Sequence, residues 1–119
     1  MTRGTKLIDL LQGTASQILY AERQFKADFP QIYQVTGAAL QSDAIETSIA
    51  LLLAASSILR GECPGESEVM IVRKMLRTVE IGQTQMAMPI SAKASDTLKA
   101  LKGFFLLSAE NREQYLRGE

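Results

Sequence analysis

The sequence predicts an all-α protein, a compact bundle of five or six helices forming a single domain over residues 1–119. Three observations carry this. Apolar residues recur at three- and four-residue spacing along most of the chain, no stretch shows the two-residue alternation of a strand, and helix-starting and helix-stopping residues punctuate the apolar segments. No internal repeat is visible.

The first helix runs from about Thr5 to Ala27. Leu7, Leu11, Ile18, Phe25 and Phe29, with Ile8, Thr14, Ala15 and Ala21 beside them, form its apolar stripe, and Asp9, Gln12, Ser16, Tyr20, Arg23 and Gln24 form the opposite face. Pro30 ends it, because proline disfavours helical geometry in the preceding residue. A short second helix, capped by Asp28, is expected from Pro30 to about Thr36. A third runs from Asp43 to Arg60: Asp43 and Glu46 are spaced like a capping box, and Gly61 supplies a left-handed stop. Ile45, Ile49, Leu52, Leu53 and Leu59, with Ala44, Ala50, Ala54 and Ala55, make it apolar on nearly every side, which predicts burial at the centre of the bundle. Its hydroxyl residues Thr47, Ser48, Ser56 and Ser57 are expected to bond back to helix carbonyls.

Gly61 to Glu66 reads as a loop. Ser67 then caps a helix to about Glu80 with a core stripe of Val69, Val72, Met75, Leu76 and Val79, and Gly82 to Pro89 reads as a long connector. A further helix starts at Ser91 or Ser95 and reaches Leu107, placing Leu98, Leu101, Phe104 and Phe105 inward. Ser108 caps the last helix, Ala109 to Arg117, which Gly118 closes.

Composition removes several function classes. There is no histidine, so the usual general base and the commonest nitrogen ligand of transition metals are missing. Cys63 is the single cysteine, which excludes an internal disulfide and any multi-cysteine zinc site. No phosphate loop, nucleotide fingerprint or catalytic pair is present, so no enzyme, cofactor or metal is expected. Glu62, Glu66 and Glu68 around Cys63 match no calcium-loop spacing, and acids before a helix also serve its dipole. The longest unbroken apolar run, Ile49 to Ala55, is far short of the ~20 residues of a membrane span. The N-terminus lacks a signal-peptide core, and a cytoplasmic location is expected.

The net charge is zero, but the charges are unevenly placed. Residues 1–27 sum to +2, 28–68 to −5, 69–107 to +4 and the tail to −1. Arg73, Lys74 and Arg77 fall opposite Val72, Leu76 and Val79, and are expected to form a basic ridge that Lys93, Lys99 and Lys102 continue on the next helix. Arg23 and Lys26 of the first helix join the set as candidate nucleic-acid contacts. The same cations also suit plain solubilising roles opposite the acidic segment. Tyr20, beside Arg23, is a candidate for stacking on a base or anchoring a partner, and a tyrosine half-covered by the last helix fits the pattern too.

In size, helical pattern and the basic ridge of Arg73, Lys74, Arg77, Lys93, Lys99 and Lys102, the chain resembles the small subunit of CRISPR interference complexes. The resemblance rests on no diagnostic motif. It implies a non-enzymatic subunit that joins other effector subunits and further copies of itself and holds single-stranded DNA or RNA backbone without reading sequence. Zero net charge departs from a dedicated nucleic-acid binder and bears against the strand-holding role more than the stacking role. The alternative is an adaptor or phage-encoded inhibitor that uses Tyr20, Met86 and Met88 as an adaptable contact surface.

Overall fold

A computed structural model describes residues 2–85 and 92–118, without the side chains of residues 36, 40 and 82–85. Its helices are α1 (Arg3–Asp28), α2 (Pro30–Leu59), α3 (Glu66–Gln85), α4 (Ala92–Phe105) and α5 (Ala109–Arg117), with no strand among the described residues. The all-α bundle is thus as the sequence predicts.

Local chemistry sets most of the ends. Thr2 caps α1, its hydroxyl accepting from the Thr5 amide at 3.1 Å, and Ser108 caps α5 by accepting from the Asn111 amide at 3.3 Å. Pro30 makes the sharp reversal into α2 with only Phe29 between the helices. Gly61 ends α2 with φ +79°, a left-handed conformation that glycine enters without strain.

The expected short helix after Pro30 is corrected. It is the first part of one 30-residue helix that continues to Leu59, so Asp43 and Glu46 lie inside α2 and do not form a start signal. Asp28 remains the last residue of α1, and Phe29 occupies the cap position of α2 without a side-chain bond. Nothing between Thr36 and Asp43 removes a backbone donor, so a helix that gains packing against α1 has no reason to stop. Tyr33 fastens this part of the hairpin: its ring lies over Gly37, where an added Cβ would fall 2.5 Å away, and its hydroxyl donates to Glu22 Oε1 at 2.5 Å.

That bond and, secondarily, desolvation raise the Tyr33 pKa above its ordinary value. Because the folded value is the higher one, the stabilisation is complete below pH about 10 and fades as pH climbs through the folded value. Tyr33→Phe is expected to flatten the alkaline loss of stability measured by denaturant unfolding from pH 9 to 12. Identical pH profiles for the two proteins would exclude the coupling.

Leu7, Leu11 and Ala15 of α1, Leu51, Ala54, Ala55 and Ile58 of α2, Val69, Val72 and Leu76 of α3, and Leu101, Phe104 and Phe105 of α4 form the core. Tyr115 and Leu116 of α5 pack against it. Phe29, assigned to the first stripe by spacing, is 50% exposed and touches Phe25 at a ring separation of 5.3 Å. α3 begins one residue before Ser67 and extends through Gly82 to Gln85, so the first half of the expected connector is helical. Met86 and Met88 lie outside the described residues.

Candidate interaction surfaces

The expected burial of α2 on all sides is also corrected. Only one flank, with Ala50, Leu51, Ala54, Ala55 and Ile58, enters the core. Ile45, Ile49, Leu52 and Leu53 are each about half exposed and Leu59 is 76% exposed. A bundle of so few helices cannot surround a helix that is apolar all round, because α1 and α3 take one side of α2 and nothing among the described residues covers the other. The uncovered side borders an open groove of about 600 Å³ between α2 and α3, whose lining includes Ile45, Ile49, Leu53 and Ile71 together with Glu46 and Glu68.

By length and composition, Gly37–Leu59 reaches what a membrane crossing requires, which the apolar-run criterion did not register. A third of that stretch is buried against the rest of the chain, and Asp43 and Glu46 lie on it.

The cations after residue 68 are divided among different tasks. Arg73 does not stand in a solvent-facing ridge: its Nε donates to the Phe105 carbonyl at 2.6 Å and its terminal nitrogen to the Leu107 carbonyl at 2.8 Å. It neutralises the carbonyl end of α4, where unpaired acceptors and the helix dipole favour a positive group. Lys102 pairs with Glu80 at 3.7 Å, joining α4 to α3. Helices α3 and α4 are therefore neighbours, as a shared basic face requires, but two of its six members are engaged within the fold. Lys74 lies on a second groove, of about 460 Å³, shared with Glu22, Asp43 and Glu46. Arg77, Lys93 and Lys99 are exposed. On α1, Arg23 is exposed and the Lys26 ammonium lies 5.4 Å from the centre of the Tyr33 ring. Tyr20 is 66% exposed, so the last helix does not cover it.

Sequence reasoning missed a second arginine. Arg112 of α5 is 2% exposed, donates to the Leu107 carbonyl at 2.6 Å and pairs with Glu66 at the start of α3. Arg73 and Arg112 thus converge on one carbonyl from two helices and clamp the α4–α5 corner. Nothing in its sequence position, one arginine among charged residues in a short polar helix, distinguishes it from a surface cation. Comparison with protein-family models, curated proteins and solved structures finds no match.

The acidic loop is engaged as well. Glu62 pairs with Arg60 at 3.6 Å and Glu66 with Arg112. No group of three or more metal-ligating side chains is assembled among the described residues. Partial burial, with the Glu113 carboxylate nearby, pushes the Cys63 thiol up, opposite to the shift that activates a nucleophile.

Proposed function

We propose that this chain is a non-enzymatic, cytoplasmic assembly module that binds another protein through the outer face of α2. The observation that carries the reading is the row of Ile45, Ile49, Leu52, Leu53 and Leu59, left open on one continuous helix. Contiguous apolar surface of this kind on a folded domain marks contact with a partner more often than chance exposure does. The companion flank of α2 is anchored in the core, so the row is presented on a rigid element with little ordering cost on binding.

The test is recovery of tagged full-length chain from its own cells under native conditions, beside an Ile49→Asp/Leu52→Asp variant that keeps the wild-type helical signal. The expected outcome is a protein partner, a second copy of the chain included, that the variant no longer retains. The same recovered set from both proteins would refute the reading.

The exposed Lys74, Arg77, Lys93 and Lys99 favour a second reading: backbone contact with single-stranded DNA or RNA inside a larger assembly, as in the CRISPR small subunits that the chain resembles. Recovery of RNA with several CRISPR proteins would support it. Lys74→Glu/Arg77→Glu is then expected to weaken single-strand binding and to reduce the log–log salt slope by about 0.7 for each phosphate no longer neutralised. Unchanged affinity and slope would dismiss it. Arg73 is left out of this test because its bonds hold the fold together.

A further inference from the structure

The outer face of α2 carries a pattern more specific than exposure. Ala38, Ser42, Ile45, Ile49, Leu52, Ser56 and Leu59 succeed one another at alternating intervals of four and three residues. That is the seven-residue repeat of a helix that packs lengthwise against another helix, and it runs for three repeats, about 30 Å of axis. Beside it, at seven-residue intervals, stand Glu46, Leu53 and Arg60. We infer that the occupant is a second copy of this chain, its α2 laid antiparallel on the first about a two-fold axis that passes between Ile49 and Leu52. This rests on the proposed protein-binding role and names the partner.

Two complementarities select that arrangement. The first is size. With the helices antiparallel and the axis between Ile49 and Leu52, the large side chains at one end of the row meet the small ones at the other: Leu59 meets Ser42 of the second copy, Ile45 meets Ser56, and Ile49 meets Leu52. A parallel pair would instead set Ser42 on Ser42 and Ser56 on Ser56, leaving gaps in a close-packed seam. The second is charge. A two-fold axis keeps each flank of the seam on its own side, so the flank that bears Glu46, Leu53 and Arg60 faces its own reverse. Glu46 of each copy is set against Arg60 of the other and Leu53 against Leu53, each pair staggered by about 7.5 Å along the axis and leaning together because helical side chains tilt toward their own N-termini. A parallel pair would set Glu46 against Glu46 and Arg60 against Arg60. Arg60 already stands at the edge of the seam: its side chain is 58% exposed, one terminal nitrogen donates to Ser56 Oγ at 2.8 Å and the other lies 3.6 Å from Glu62, so the exchange gives up only exposed contacts.

The inference is tested by cysteine pairing and by charge exchange in the full chain, with Cys63→Ser as background. Ile45→Cys/Ser56→Cys is expected to form a covalent dimer under mild oxidation, because residues 45 and 56 of opposite copies face one another. Ile45→Cys alone stays monomeric under the same conditions, its counterpart lying about 16 Å away along the axis. In sedimentation equilibrium, Glu46→Arg and Arg60→Glu each raise the dimer dissociation constant about tenfold and their combination restores it. Oxidative dimers of Ile45→Cys alone would overturn the antiparallel arrangement. A chain monomeric at all concentrations, with a different protein retained through Ile49 and Leu52, would overturn self-pairing and keep the binding role. Flotation of the monomer with phosphatidylcholine vesicles, abolished by Ile49→Asp/Leu52→Asp, would overturn both.

Discussion

Phe104→Ala is expected to destabilise the protein by about 3–5 kcal/mol, the range for deleting a fully buried ring. Phe104 has no exposed surface and meets Phe105 and Tyr115 edge-on, at ring separations of 5.0 and 5.4 Å. Truncation therefore removes apolar burial and two favourable ring contacts, and leaves a void that a bundle pinned at the α4–α5 corner cannot close. In thermal unfolding, a domain of this size should lose roughly 10–20 °C. The damage should also be local. α5 has nine residues, too few to hold a helix unaided, and Tyr115 is one of its anchors. Amide exchange in α5 should accelerate before that of α1. A loss below about 1 kcal/mol would mean that Phe104 is not the keystone its burial indicates.

Arg112→Ala is the second large effect, expected at about 3 kcal/mol. The buried stem leaves a cavity, the Leu107 carbonyl loses one of its two cationic donors, and the bond from α5 to Glu66 disappears. Glu66 is 67% exposed and returns to water, so the loss stays below that of breaking a fully buried ion pair. Arg112→Met separates the contributions. It refills the stem volume, retains the Arg73 bond to Leu107, and removes the Arg112 Nε, which is buried without a hydrogen-bond partner. Denaturant unfolding should place Arg112→Met at about half the cost of Arg112→Ala. Equal losses would assign the whole effect to charge and none to packing.

What the sequence disclosed depended on whether the signal was local. The α1 stripe, the Ser108 cap, the Gly61 stop and the inward face of α4 are written in residues a few positions apart, and each recurs in the structure. The union of two expected helices into α2 was not legible, because Asp43 and Glu46 read equally well as a helix start and as acids on a helix surface. The exposure of Ile49 and Leu52 was hidden for another reason. Burial depends on how many neighbours the fold supplies, and no spacing within α2 states that number. The seven-residue spacing from Ala38 to Leu59 was nevertheless present, on the side of α2 away from its core stripe. Arg73 shows the converse: the helical period placed it beside Lys74 and Arg77, but only the path of α4 reveals the carbonyls it serves.

The unbroken course of α2 ties two jobs together geometrically. At 3.6 residues per turn, losing one residue near position 47 would turn everything before the cut by about 100° relative to everything after it. Ile45 would then point away from the side shared by Leu52 and Leu59, while Ala44 would no longer face α1 in step with Leu51. Drift in this rod is thus confined to exchanges of side chain, since any change of length throws the inner and outer faces out of phase together.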